Sequence, residues 1–223
     1  MTASIAQYAY LQDAEGAYVN LFLGGRAALP DAGFVLNVAT DYPWQGSVRI
    51  AVEKSAGATL YLRLPGWCEQ YALQVNAQPV AAQARDGYIA LCGLSAGDVV
   101  QYDMQMQPRR IFVNTRVAQD AGCVAVARGP LVYCMEQMDN GRDLHNLILP
   151  RGAALEAEFC PQLLGGVTVL RAQGYRICDA GEEGPLYTTQ PPAQKPQEIM
   201  FVPYFCWNNR GVGQMRVFVR DSG

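Results

Sequence analysis

Arg128-Gly129-Pro130-Leu131-Val132-Tyr133-Cys134-Met135-Glu136, closed by Asp139-Asn140, is the stretch from which the fold can be read. The Gly-Pro pair sets a sharp turn. Beyond it Leu131, Tyr133 and Met135 fall on one face and Val132, Cys134 and Glu136 on the other, the period-two pattern of a strand with one side buried. Upstream, Cys123 to Ala127 and Ile111 to Val113 are further short apolar runs. Before them lies Gln107-Pro108-Arg109-Arg110, where proline removes a ladder donor and charge replaces apolar residues. A domain boundary is expected there.

The amino-terminal half repeats the alternation. Val48, Ile50 and Val52 oppose Arg49, Ala51 and Glu53; Leu60, Leu62 and Leu64 oppose Tyr61 and Arg63; Val100, Tyr102, Met104 and Met106 oppose Gln101, Asp103 and Gln105. These patterns predict antiparallel sheet with one wet side. Val19, Leu21 and Leu23 extend the same reading from Tyr18 to Leu23, and Thr40-Asp41-Tyr42-Pro43-Trp44-Gln45-Gly46 and Asp86-Gly87 supply turns. Met1, Ile5 and Tyr8 stand at helical spacing, so a short helix is expected over Met1 to Leu11. Downstream, Val167 to Leu170, Tyr175 to Cys178, Ile199 to Phe205 and Met215 to Arg220 read as strands, with a long surface loop over Asp179 to Gln197. Many short strands separated by turns predict an all-β chain of sandwiches or barrels.

At 223 residues the chain exceeds one typical domain of roughly 100–150 residues, which favours two domains over one large sandwich. With 17 basic and 20 acidic residues, a net charge of -3 and no Lys/Arg cluster, it lacks the footprint of a nucleic-acid binder. No apolar run approaches the ~20 residues of a membrane helix. The seven cysteines (68, 92, 123, 134, 160, 178 and 206) form no C-x-x-C pair and read as buried free thiols in a reducing, cytoplasmic compartment.

Catalytic chemistry is sparse. The single histidine, His145, stands on a polar loop beside Asp143, without the company that a metal site or a triad requires. Each cysteine reads as a small core residue, since none sits in an electropositive turn. Glu136, Asp139, Glu182 and Glu183 are the carboxylates that could pair for sugar hydrolysis, which needs two carboxyl groups that meet only in the fold. Trp44, Trp67 and Trp207 each flank a turn, where an indole could stack on a sugar ring or pack over a sandwich edge.

Five segments together resemble one family: Ile5-Ala6-Gln7-Tyr8-Ala9-Tyr10, Thr40 through Gly46, Leu62-Arg63-Leu64-Pro65-Gly66-Trp67, Arg128 through Asn140, and Val202-Pro203-Tyr204-Phe205-Cys206-Trp207-Asn208-Asn209-Arg210-Gly211. In this order they resemble the carboxy-terminal part of glycoside hydrolase family 127, the bacterial β-L-arabinofuranosidase family. The resemblance implies two consecutive antiparallel, jelly-roll-like β-sandwiches, at residues 13–107 and 108–223, with residues 1–12 as the tail of the last helix of a catalytic helical barrel. It places the family's chemistry, a zinc-bound cysteine nucleophile and an acid/base glutamate, in that barrel. The family's Cys-Cys-Pro-Pro-Asn segment is absent here, so no catalytic residue, cofactor or metal ligand is carried over. The expected role is a non-catalytic accessory region, with the barrel as partner and a homodimer as a further assembly. The alternative is a carbohydrate-binding module that takes arabinose-containing oligosaccharides on Trp44, Trp67 or Trp207.

Overall fold

The computed structural model describes residues 2–178 and 184–222, so Met1, Glu182 and Glu183 lie outside the described residues. Contacts divide the chain into two compact units, Met1–Met106 and Gln107–Gly223. Almost all of the regular structure is strand.

The first unit contains β1 (Tyr10–Gln12), β2 (Gly16–Val19), β3 (Gly25–Leu29), β4 (Phe34–Thr40), β5 (Ser47–Lys54), β6 (Thr59–Arg63), β7 (Tyr71–Val75), β8 (Gln78–Pro79), β9 (Ala84–Arg85), β10 (Tyr88–Leu91) and β11 (Val99–Met104). They build a five-stranded sheet, β1-β2-β6-β10-β9, and a six-stranded sheet, β3-β4-β5-β11-β7-β8. Val19, Leu60, Leu62 and Ile89 from the first sheet share one core cluster with Leu36, Ile50, Val100 and Tyr102 from the second. Each large side chain buried there contributes about 2 kcal/mol. The alternation read from sequence is the burial pattern seen: Val100, Tyr102 and Met104 are buried.

Two local expectations are corrected. Residues Thr2–Tyr8 form 3-10 turns, and Tyr10–Gln12 is not helix but strand, paired antiparallel with Ala17–Val19. Asp13 makes that hairpin by accepting the backbone N–H groups of Glu15 (2.8 Å) and Gly16 (3.0 Å). The strand read over Tyr18 to Leu23 stops at Val19, because the N–H groups of Asn20 and Leu21 turn back to the Ala9 carbonyl, at 2.8 and 3.2 Å. The sheets are also not purely antiparallel: β2 runs parallel to β6.

The second unit contains β12 (Pro108–Phe112), β13 (Cys123–Arg128), β14 (Leu131–Glu136), the one-turn helix α1 (Gln137–Asn140), β15 (Leu147–Pro150), β16 (Glu156–Cys160), β17 (Val167–Ile177), β18 (Gln194–Pro203), β19 (Met215–Arg216) and β20 (Val219–Ser222). The path β13-β20-β15-β17-β18-β14 returns to β13 through the Gly129-Pro130 hairpin, so the layers of this unit are joined into one closed sheet. All six strands point residues into a single core: Val126, Tyr133, Leu149, Leu170, Phe201 and Val219 among them. β15 and β20 are parallel. The loop expected over 179–197 ends early, since Gln194 to Gln197 already pair with Ile177 to Gly174. Ladder hydrogen bonds form regardless of side-chain polarity, so this polar run joins the sheet.

Candidate functional site

The carboxylates of the Arg128–Asn140 stretch converge on one arginine. Alternation along β14 sends Tyr133 and Met135 into the core and sends Cys134 and Glu136 to the opposite side, where Cys134 packs with Val169, Val202 and Cys206. Glu136 is buried, at 4% exposure. Its Oε1 accepts the Asn208 backbone N–H at 2.8 Å and its Oε2 accepts from Arg210 Nη2. One turn of α1 brings Asp139 to the same guanidinium, with Nη1 to Oδ1 at 2.7 Å and Nη2 to Oδ2 at 2.5 Å. That two-pronged geometry is what a planar guanidinium offers a carboxylate. The Asp139 hydrogen bonds hold the Arg210 pKa above its ordinary value, against the opposing effect of burial.

Asn140 extends the network to β18. Its amide donates to the carbonyls of Glu136 (3.1 Å) and Met200 (2.9 Å), and its Oδ1 accepts the Met200 N–H at 2.9 Å. Its own carbonyl accepts from Arg176 Nη2 at 2.5 Å and Gln197 Nε2 at 3.0 Å. Buried polar groups are costly unless partnered, and here the partners come from three separate chain segments.

The clamp shapes the turn that follows β18. Cys206 is buried, while Tyr204, Phe205 and Trp207 are exposed on the surface. Asn208, at φ 64°, reverses the chain so that its N–H meets Glu136, and Asn209 Nδ2 closes the turn onto the Cys206 carbonyl at 2.9 Å. Tyr204 and Trp207 have ring centroids 6.5 Å apart, tilted by 37°. The arrangement positions backbone. Glu136 and Asp139 are committed to the same cation.

Trp44 is half exposed on the Thr40–Gly46 turn. Thr40 Oγ1 organises that turn by donating to the Ser47 carbonyl (2.8 Å) and accepting the Tyr42 N–H (3.0 Å). Trp67 is partly buried against the first core and stacks on Tyr42 at 6.4 Å, and Tyr42 in turn meets Phe22 edge-on. Trp44 and Trp67 therefore both belong to the first unit, whereas Trp207 belongs to the second. His145 is exposed on a single 3-10 turn. Burial pushes the Cys134 thiol up to about 12, with the Glu136 charge adding to it, and burial also raises Cys206 and Cys68. The raised values favour the protonated thiol, the weaker nucleophile. Among the described residues no three His, Cys, Asp or Glu side chains converge as metal ligands.

Sequence reading missed a tyrosine layer. Tyr18 and Tyr61 are register partners on the parallel strands β2 and β6, with rings stacked at 4.5 Å and 9°. Tyr88 meets Tyr18 edge-on at 5.5 Å and donates its hydroxyl to Asn20 Oδ1 at 2.6 Å. The period-two pattern already set these tyrosines off the core face, but nothing local announces a parallel pairing.

The family model for the glycoside hydrolase family 127 C-terminal domain matches residues 108–220, and that for the β-L-arabinofuranosidase middle domain of the same family matches residues 16–106. The chain is 36% identical to a non-reducing end β-L-arabinofuranosidase of Bifidobacterium longum, an alignment covering 99% of this chain and 35% of that protein. Among solved structures it is similar to a family 127 β-L-arabinofuranosidase from Geobacillus stearothermophilus T6, at 36% identity and a TM-score of 0.91, covering 99% of this chain and 36% of that one. A second family 127 β-arabinofuranosidase gives 30% identity and a TM-score of 0.87, covering 98% of this chain and 37% of that one. The chain spans about a third of the length of these relatives.

Proposed function

Because the chain belongs to glycoside hydrolase family 127, we propose that it is the non-catalytic carboxy-terminal part of a β-L-arabinofuranosidase-like enzyme, acting in carbohydrate degradation by supporting a separate catalytic domain. One observation carries this reading. The two matched segments are the family's middle and C-terminal domains, they take up nearly all of the chain, and they amount to about a third of the relatives' length. The carboxylates brought together in the second unit serve a backbone clamp, which supports a structural role for that unit. Seven unpaired cysteines suit a reducing, cytoplasmic compartment. A homodimer belongs to the same reading and is tested by sedimentation velocity. The accessory reading itself fails if this chain alone releases L-arabinose from an aryl β-L-arabinofuranoside at a rate comparable with a complete enzyme.

The exposure of Trp44 favours a second reading, a carbohydrate-binding module. Its test is an NMR titration with arabinose-containing oligosaccharides, following the indole N–H signals of Trp44, Trp67 and Trp207. Saturable shifts support it, and unshifted signals remove it.

A further inference from the structure

The outer face of the five-stranded sheet in the first unit carries a row of large side chains. A sheet with one side on the core normally turns polar residues to water. Here Leu11 on β1 is the register partner of Tyr18 on β2, and Tyr18 is the partner of Tyr61 on β6, so the three side chains form a row across adjacent strands on the face opposite Val19 and Leu62. Leu11 is 54% exposed. Gly16 keeps this row close, since a Cβ there would lie 2.0 Å from the Thr59 carbonyl oxygen and 3.1 Å from the Tyr61 ring.

The chain segment that leads into this row carries further exposed apolar side chains. Thr2–Tyr8 is a seven-residue 3-10 segment, longer than the three or four residues usual for that conformation. Side chains three apart eclipse in a 3-10 helix, which sets Ile5 and Tyr8 on one side, and they are 50% and 64% exposed. Ala9, at its end, is buried and accepts the N–H groups of Asn20 and Leu21. The segment is therefore tethered to the sheet while its large apolar side chains are exposed, and exposed apolar surface of this kind marks an interaction site where it is contiguous.

We propose that Ile5, Tyr8, Leu11, Tyr18 and Tyr61 form the seat of the domain that precedes the middle domain in family 127 relatives. The inference rests on the accessory reading above and adds the surface. The matched family segments are the middle and C-terminal domains, so the remaining two-thirds of a relative's length includes a domain ahead of the middle one. Ile5 through Leu11 lies directly ahead of residue 16, where the middle-domain match begins. The apolar row thus starts on the side of the chain to which that domain attaches.

The test replaces the aligned region of the Bifidobacterium relative with this chain, with and without the paired substitutions Tyr8→Asp and Leu11→Asp. In the isolated chain the pair is expected to leave the melting temperature within about 1 °C, because both residues are exposed. In the chimera it is expected to lower that temperature by about 4 °C or more, and residues 4–19 should exchange amide hydrogen more slowly than in the isolated chain. A folded chimera that is insensitive to the substitutions and shows no added protection at 4–19 overturns the seat and leaves the accessory reading intact. Protection of 4–19 that appears in the isolated chain on raising its concentration overturns it too, by assigning the face to a second copy. A chimera that does not fold contradicts the accessory reading, and the seat falls with it.

Discussion

Arg210 and Asp139 are 71 positions apart in the chain and share two hydrogen bonds, Nη1 to Oδ1 at 2.7 Å and Nη2 to Oδ2 at 2.5 Å. Glu136 meets the same guanidinium, and through the Asn208 N–H it fixes the turn that presents Tyr204, Phe205 and Trp207. Removing one member of a buried ion pair strands the others, which typically costs about 3–5 kcal/mol. Arg210→Ala should therefore destabilise the second unit by about 3 kcal/mol, measured by urea denaturation of the whole chain. Arg210→Lys should recover only part of that, because an ammonium cannot reproduce the planar fork. A loss below about 1 kcal/mol for Arg210→Ala would show that the clamp is incidental.

Two glycines in the first unit should respond oppositely to alanine. A Cβ at Gly46 would lie 1.9 Å from the Met104 carbonyl oxygen, and Met104 N–H in turn donates to the Gly46 carbonyl at 2.9 Å. Gly46→Ala must push β5 and β11 apart, at a cost of about 2 kcal/mol or more. Gly66 has open space around its Cβ position and no left-handed φ, so Gly66→Ala should be neutral or slightly stabilising through the unfolded chain. Thermal melts of the two variants give the comparison, and equal losses would contradict it.

Alkaline pH should weaken the second unit. Burial raises the Cys134 thiol from 9.0 to about 12 and the Tyr133 hydroxyl from 10.0 to about 12. Both groups are neutral when protonated, so the fold favours the protonated form. Their contribution is full below the unfolded-state values, declines as the unfolded chain ionises above about pH 9, and is gone once pH passes the folded values. Cys134→Ala should lower stability at neutral pH through the lost packing but flatten the decline between pH 9 and 12. Denaturation midpoints across that range, wild type against variant, decide it, and parallel curves would refute the assignment.

Acid should act on the first unit. The Asn76 amide (2.8 Å) and the Ser95 N–H (2.7 Å) hold the Asp98 carboxyl below its usual range. Its contribution is present above the unfolded-state carboxylate range and is lost as pH falls through the lowered folded value. Asp98→Asn should make stability less sensitive to acid below about pH 4, read from the same denaturation series.

How much of this was readable beforehand depended on range. Val100, Tyr102 and Met104 declare a half-buried strand by alternation alone, and so do Tyr133 and Met135. Gly129-Pro130 likewise marks the hairpin that closes the second sheet. Leu21 and Leu23 continue the same alternation, yet the chain leaves the sheet at Asn20 because its N–H is taken by Ala9, an acceptor eleven residues away that periodicity cannot see. Gly25–Leu29 pairs with β4 despite opening on Gly-Arg-Ala, and Gln194–Gln197 pairs with β17 despite being polar. For the site, Glu136, Asp139 and the Val202–Gly211 segment were each visible in sequence. Their meeting at Arg210 was not, because it depends on β14 and β18 lying side by side. The tyrosine row was hidden for the same reason, since it rests on the parallel pairing of β2 with β6.

We propose that this chain supports glycosidic chemistry without performing it. The most direct test incubates the purified chain, at high concentration and with added zinc, with an aryl β-L-arabinofuranoside beside the complete Bifidobacterium relative. The account predicts aryl release by the relative and none above background from this chain. Turnover by this chain at a comparable rate, lost in Glu136→Gln or Asp139→Asn, would contradict it and make the clamped carboxylates an active site.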